Sequence, residues 1–189
     1  MAVFSPKAWV VANFLGWLFG IGLILLLSGL FDSVGLEGFQ FYVGLGVGMG
    51  LGVMQWRMLH TWLGMGKVWL FYSLLGFAVP FLAFDFFSFF WDISLGRYHL
   101  PVCVLATGVI SSGLYSLALK KYFEDSWKYG SGFFIGLMLA LFAVWLVEFT
   151  PRLGMPTLAV FFANLGLILV GGPIVGWFTG RALTRMTVR

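Results

Sequence analysis

The stretch "GLGVGMGLGVMQWRML", Gly44 to Leu59, sets a glycine at every second position as far as Gly52 and then breaks into Gln-Trp-Arg. Read with period two, it suits a loose loop or a phosphate cradle. Read with period four, Gly44, Gly48 and Gly52 line one side of a helix, and Gly46 with Gly50 line another about 160° away. The surroundings decide between them. A dinucleotide or P-loop site needs a strand before the glycines and a soluble helix after them. Here they lie inside an apolar run, and no Gly-Lys-Ser/Thr follows. In lipid, small residues four apart let two helix backbones approach closely. The stretch therefore reads as a packing helix held between two neighbours.

Composition supports a membrane setting. Only 10% of the 189 residues are charged and 61% are hydrophobic, with a mean hydropathy of +1.00. A soluble domain of this length needs more charge on its surface. The chain reads as a single all-α integral membrane domain over residues 1–189, in contact with the lipid bilayer. Its net charge of +4 comes from basic residues scattered at segment ends, which is not the patch that nucleic acid requires. Cys103 has no second cysteine to pair with, so it reads as a small core residue.

Six apolar stretches, at about 8–30, 41–59, 68–90, 100–119, 129–149 and 157–180, each approach the roughly 20 residues that cross a bilayer core. The first is too long for a signal peptide and lacks an Ala-x-Ala-like cleavage site, so it reads as an uncleaved span. Lys7, Arg57, Lys67, Lys120, Lys121, Lys128, Arg181, Arg185 and Arg189 fall on one side of such an arrangement. Arg97 and Arg152 fall on the other, with Asp32, Glu37, Asp85, Asp92 and Glu148. The basic side is expected to be cytoplasmic, which places both termini there. Trp9, Trp56, Trp62, Trp69, Trp127 and Trp177 near that boundary, and Trp91 near the other, read as an interfacial belt. Pro80 and the run Gly171-Gly172-Pro173 should kink the third and sixth spans.

A repeat of about sixty residues, one helical hairpin, runs through the chain. Gly52 precedes Gln55, Gly113 precedes Ser116 and Gly176 precedes Thr179 by three positions, each just before cytoplasmic basic residues. In the odd spans Gly16, Gly76 and Gly132 stand sixteen positions before Asp32, Asp92 and Glu148. Three like-oriented hairpins imply an axis along the membrane normal, unlike inverted-repeat transporters. On this pattern Gly44, Gly48, Gly52, Gly113, Gly172 and Gly176 are the expected helix-packing positions. Gln55, Ser116, Thr179 and Asn164, with Asn13, should make interhelical hydrogen bonds.

The segment "GLGVMQWRMLHTWLGMGKVW" resembles a group of small bacterial polytopic membrane proteins with a Gly-x-x-Gln-Trp-x-x-Leu element at a cytoplasmic span end. Gly52, Gln55, Trp56, Leu59 and Trp69 carry the likeness, which covers about thirty residues, and His60 stands where that group usually has arginine. The resemblance implies a bacterial inner-membrane protein and no particular activity. The six-span plan is also similar to the substrate-binding subunits of vitamin transporters in architecture alone, since their Ala-x-x-x-Ala docking surface is missing from the first span.

Candidate chemistry is sparse. His60 and His99 fall on opposite sides, so neither has a zinc-binding partner. His60 beside Trp62 could ligate a haem iron or chlorophyll magnesium from a span end, but it reads first as an interfacial histidine. "ISSG" at Ile110 to Gly113 has no histidine facing it, and no clustered aspartates mark a head-group transferase. A non-catalytic protein is expected. Ionisable groups in a span are costly and carry function or partners. Asp85 and Asp92, seven apart in "AFDFFSFFWD", with Arg97, His99, Glu148 and Arg152, are expected to form an outer charged group, first a salt-bridged rim and otherwise a cation or amine vestibule or a docking surface for an external partner. Aromatics make up 20% of the chain, and the phenylalanines of the third span suit lipid, a pigment, a quinone or another subunit's helix. The leading expectation is an accessory subunit of a larger membrane complex. The second is a small-solute transport or binding protein.

Overall fold

The computed structural model describes residues 4–35, 39–91 and 96–188, without the Arg97 side chain. Glu37, Asp92 and Arg189, together with that side chain, lie outside the described residues. The described residues are helical and carry no strand; one isolated antiparallel bridge joins Phe123 to Val188.

Helix α1 spans Pro6–Ser33, α2 Phe41–Leu63, α3 Val68–Trp91, α4 His99–Leu119, α5 Trp127–Trp145, α6 Thr157–Leu169 and α7 Gly171–Leu183. The ends follow local chemistry. Ser5 caps α1 by accepting the Ala8 N–H at 3.4 Å, and Pro6 occupies the first turn, where its missing N–H costs nothing. Gly64 ends α2 at a φ of 67°, a left-handed geometry that glycine adopts without strain. α3 continues past Pro80. The Gly171-Gly172-Pro173 run does divide its segment, and α6 and α7 meet at Val170.

Each helix packs against the next, and α7 returns to α1, so α1, α2, α3, α4, α5 and α7 close a ring. Glycines set the close approaches. A Cβ at Gly16 would lie 2.8 Å from the Gly50 carbonyl oxygen, and one at Gly48 would lie 2.9 Å from the Phe77 Cβ. The two glycine faces of α2 thus meet two different partners. Gly46 and Gly50 meet α1 at Gly20 and Gly16, while Gly44, Gly48 and Gly52 meet α3 at Phe77, Phe81 and Ser73. Between α7 and α1, Gly172 sits on Trp17 and Asn13, and Gly176 on Asn13 and Val10.

Both termini reach the same end of the bundle, the terminal end. There Phe4 contacts Trp62, Trp62 contacts Phe123, and Phe123 bridges to Val188. The polarity of the bundle is inverted relative to a water-soluble protein. Asn13, Gln55, Ser73, Thr107, Ser111 and Thr179 are buried, while Leu25, Leu26, Phe71, Phe89, Leu158 and Phe162 are exposed. Water would penalise that exterior and lipid does not. Five segments, Pro6–Ser33, Val68–Trp91, His99–Leu119, Trp127–Glu148 and Thr157–Leu183, are long and apolar enough to cross a membrane. α2 is as long, at 23 residues, but five of them are glycines.

The tryptophan belt requires correction. Trp127 and Trp177 are exposed near the terminal end, but Trp9 and Trp69 are fully buried inside the ring. Their indole N–H groups find partners there, and that makes burial tolerable.

Candidate functional site

The ring interior is built from positions that recur every sixty residues. Trp9, Trp69 and Tyr129 stand sixty apart, one near the start of each of α1, α3 and α5, and all three are fully buried. They meet at the centre. Tyr129 is edge-on to Trp9 at 6.4 Å and to Trp69 at 5.6 Å, and Trp69 stacks on Tyr115 at 4.5 Å.

Polar side chains lock this aromatic layer. The Trp9 Nε1 donates to Thr179 Oγ1 at 2.8 Å, and Asn13 Nδ2 donates to the Trp9 carbonyl at 2.9 Å. Gln55 Nε2 donates to Asn13 Oδ1 at 2.8 Å, and Gln55 Oε1 accepts from Trp69 Nε1 at 3.3 Å. Tyr115 donates to Ser73 Oγ at 2.8 Å, and Ser73 donates to the Gly48 carbonyl at 2.7 Å. Buried polar groups are stable only when so partnered. The layer is a plug. Toward the terminal end it is backed by buried Leu59, Met65, Leu119, Phe123 and Leu183.

On the other side of the plug lies a cavity of about 180 Å³. Its wall takes Trp17 from α1, Val47 from α2, Phe81 from α3, Thr107 from α4, Leu141 from α5 and Ile168 from α6. The sixty-residue register holds here too, because Trp17, Phe77 and Leu137 line it, as do Ile21, Phe81 and Leu141. The Trp17 N–H is turned to the Ile168 carbonyl at 2.9 Å, which ties α6 to α1. No charged side chain lines the cavity among the described residues. The chamber is apolar, and every helix of the ring contributes to it directly or, for α7, through α6.

Asp85 occupies the far rim. Its Oδ2 accepts the N–H groups of Gln40 and Phe41 at 2.8 and 2.7 Å, and Oδ1 lies 3.5 Å from His99 Nε2. The start of α2 has no side-chain cap of its own from Gln40, so α3 supplies one. The negative charge also suits the positive end of the α2 dipole. His99 is followed by Leu100, which lines the cavity.

Of the expected outer charged group, Asp92 and the Arg97 side chain lie outside the described residues, and the four that are described do not form one cluster. Asp85 and His99 come together, but Glu148 and Arg152 do not pair with each other. Arg152 instead lies over the Phe149 ring at 5.3 Å, and Glu148 borders a surface groove with Trp145. Both residues sit in the short 3₁₀ turns that follow α5, Leu146–Glu148 and Thr150–Leu153, and not on a span as Asp85 does.

Two repeat assignments also shift. A Cβ at Gly113 would meet nothing within 4 Å, so Gly113 is not a packing glycine. Ser116 donates to the Ser112 carbonyl of its own helix at 2.8 Å, so it makes no interhelical bond. The α4 register is one residue earlier than the sequence pattern suggested: Ser112 stands for Gly52, and Tyr115 for Gln55. Likewise Gly136, against Val175, takes the place of Gly16 and Gly76, rather than Gly132. Gln55 and Thr179 bond across helices as described, and Asn164 Oδ1 lies 2.5 Å from the Thr150 hydroxyl. His60 Nδ1 lies 3.0 Å from the Met65 carbonyl at the terminal end. Sequence reasoning passed over Trp9, Trp17, Ser73, Thr107, Tyr115 and Tyr129 as interior groups. Spacing of sixty between aromatic positions was the available signal for most of them. No family model matches the chain, and no curated protein or solved structure matches it.

Proposed function

We propose that the protein is a non-catalytic membrane protein that holds a small apolar molecule at the centre of a six-span ring. The observation that carries this reading is the apolar cavity between the aromatic plug and the far end of the bundle. Mostly apolar, concave sites between bundle helices are the usual places for small ligands. Apolar cavities of about 150 Å³ stay dry and accept benzene, and this one is about 180 Å³. The Asp85 carboxylate is engaged as a helix cap, so binding is assigned to the chamber and not to an outer acidic vestibule.

The three hairpins, joined by short links, form one parallel repeat. Lys7, Arg57, Lys67, Lys120, Lys121, Lys128, Arg181 and Arg185 cluster toward the terminal end, which supports a cytoplasmic placement of both termini in a bacterial inner membrane. Reporter fusions after Arg189 and at Gly35 should then signal from opposite sides.

The test of binding is photolabelling in lipid nanodiscs with trifluoromethyl-phenyl-diazirine, a one-ring apolar carbene precursor. Peptides carrying Val47, Phe81 and Leu141 should be labelled, and Ala140→Leu, which fills the chamber, should remove that label. Labelling confined to lipid-facing residues would overturn the reading.

A second reading is favoured by one surface. Phe86, Phe87, Phe89, Phe90 and Trp91 are all exposed at the far end of α3, a band suited to another subunit's helix, a quinone or a pigment. Under this reading the protein is an accessory subunit, and a partner should co-purify from native membranes in mild detergent.

A further inference from the structure

Helix α7 is flanked at the terminal end by two outward-facing grooves. One, of about 590 Å³, runs between α7 and α1, and the other, of about 530 Å³, between α7 and α5. Each passes from charge to hydrocarbon along its helices. In the first, Lys7, Arg181 and Thr184 form the rim, and Val10 and Trp177 lie about one turn deeper. In the second, Lys128 and Arg185 form the rim, and Ile135 and Phe178 lie about two turns deeper. An exposed tryptophan borders each, Trp177 the first and Trp127 the second, as suits the boundary between lipid headgroups and tails.

The cations of these rims lack protein anions. Among the described residues Lys128 pairs with Asp125 at 2.8 Å, while Lys7, Arg181 and Arg185 make no ion pair. No carboxylate lines either groove among the described residues. A basic span end by itself needs no ligand, because topology alone selects it. Topology is served equally by Arg57, Lys67 or Lys121, which line neither groove. Lys7, Lys128, Arg181 and Arg185 instead converge from α1, α5 and α7 on adjoining grooves with apolar floors. Arg181 lines both.

We propose that the two grooves hold one phospholipid with two phosphates, seated astride α7 with Arg181 between the phosphates and acyl chains in both grooves. Basic pockets between spans at a membrane surface recognise anionic headgroups of this kind. A guanidinium presents N–H donors along more than one edge in a rigid fork, so one arginine can serve two anions. Lys7 then faces the phosphate on the α1 side, and Lys128 and Arg185 face the one on the α5 side. The apolar floors call for acyl chains, which a free phosphate lacks. A lipid with a single phosphate fills one groove and leaves the cations of the other bare.

The experiment titrates the purified protein in mild detergent with tetraoleoyl cardiolipin, dioleoyl phosphatidylglycerol or dioleoyl phosphatidylcholine, and reads bound lipid by native mass spectrometry. Counted per phosphate, cardiolipin should bind at least about fivefold more tightly than phosphatidylglycerol, the worth of about one basic contact, and phosphatidylcholine should bind more weakly than either. Arg181→Gln should bring cardiolipin and phosphatidylglycerol within about twofold of each other. Arg181 is exposed, so the fold should tolerate the change. Lys121→Gln removes the same charge at the same end and should leave the preference intact. Equal loss in the two variants would reduce the effect to overall charge and overturn the site. Equal affinity of wild type for cardiolipin and phosphatidylglycerol, counted per phosphate, would overturn the two-phosphate assignment. Release of bound cardiolipin by an equal concentration of inorganic pyrophosphate would overturn the assignment to a lipid.

Discussion

The Asp85 carboxylate of α3 accepts the backbone N–H of Phe41, the first residue of α2, at 2.7 Å, and so one helix caps its neighbour. The same oxygen takes the Gln40 N–H. Asp85→Ala should leave both part-buried N–H groups without an acceptor and cost about 2 kcal/mol. Asp85→Asn keeps an acceptor oxygen and should cost less, about 1 kcal/mol, mainly from the lost charge at the helix dipole. Denaturant unfolding in detergent measures both. An Asp85→Ala protein as stable as wild type would remove the capping role.

The glycines divide into two classes with opposite expectations. Gly50 faces the backbone of Gly16 and Gly20 so closely that a Cβ has no room, whereas one at Gly113 meets nothing within 4 Å. Gly50→Ala should destabilise by about 1–3 kcal/mol, since neither helix backbone can retreat without opening the ring. Gly113→Ala lies in the interior of α4 and should stabilise by roughly 0.5–1 kcal/mol through helix propensity. Thermal unfolding of the two variants side by side checks the sign of each. Gly48→Leu, pressed on Phe77, should behave as Gly50→Ala does and more severely.

Gln55 is the junction of α1, α2 and α3 through Asn13 and Trp69. Gln55→Leu keeps the bulk but orphans the Asn13 oxygen and the Trp69 N–H, at a cost of about 2 kcal/mol. The Gln55→Leu, Asn13→Leu double variant should cost less than the sum of the singles, because the second change removes the stranded partner. Strict additivity would mean that the bond contributes nothing.

What the sequence made legible follows from what lipid demands. Helix length, apolarity and the two glycine faces of α2 are dictated locally, and Gly44 to Gly52 carried that information within nine residues. Ring closure by α7 on α1 is not local, and Gly172 and Gly176 gave no hint that their partner would be the N-terminal helix. The outer charges misled because side was inferred and azimuth was not. Glu148 and Arg152 share an end with Asp85 but, among the described residues, form no ion pair with it. The interior was obscured by a one-residue slip. Ser116 matches Gln55 by residue type, yet the position that points inward is Tyr115, whose hydroxyl reaches Ser73.

Ala140 tests the chamber without any ligand. It is fully buried on α5 and lines the cavity beside Leu141. In a close-packed interior, enlarging a buried alanine to leucine forces neighbours off their rotamers and costs typically about 1–3 kcal/mol. If the added carbons enter empty space, they gain contacts instead, and Ala140→Leu should hold or raise stability by about 1 kcal/mol. Gly136, one turn earlier on the same helix, supplies the contrast, because a Cβ there already lies 3.1 Å from the Val175 Cα. Gly136→Leu should therefore destabilise strongly while Ala140→Leu does not. Thermal unfolding of the pair reads the difference directly. If both variants fall together, α5 packs as tightly at Ala140 as at Gly136, and the chamber that underlies the binding reading is closed.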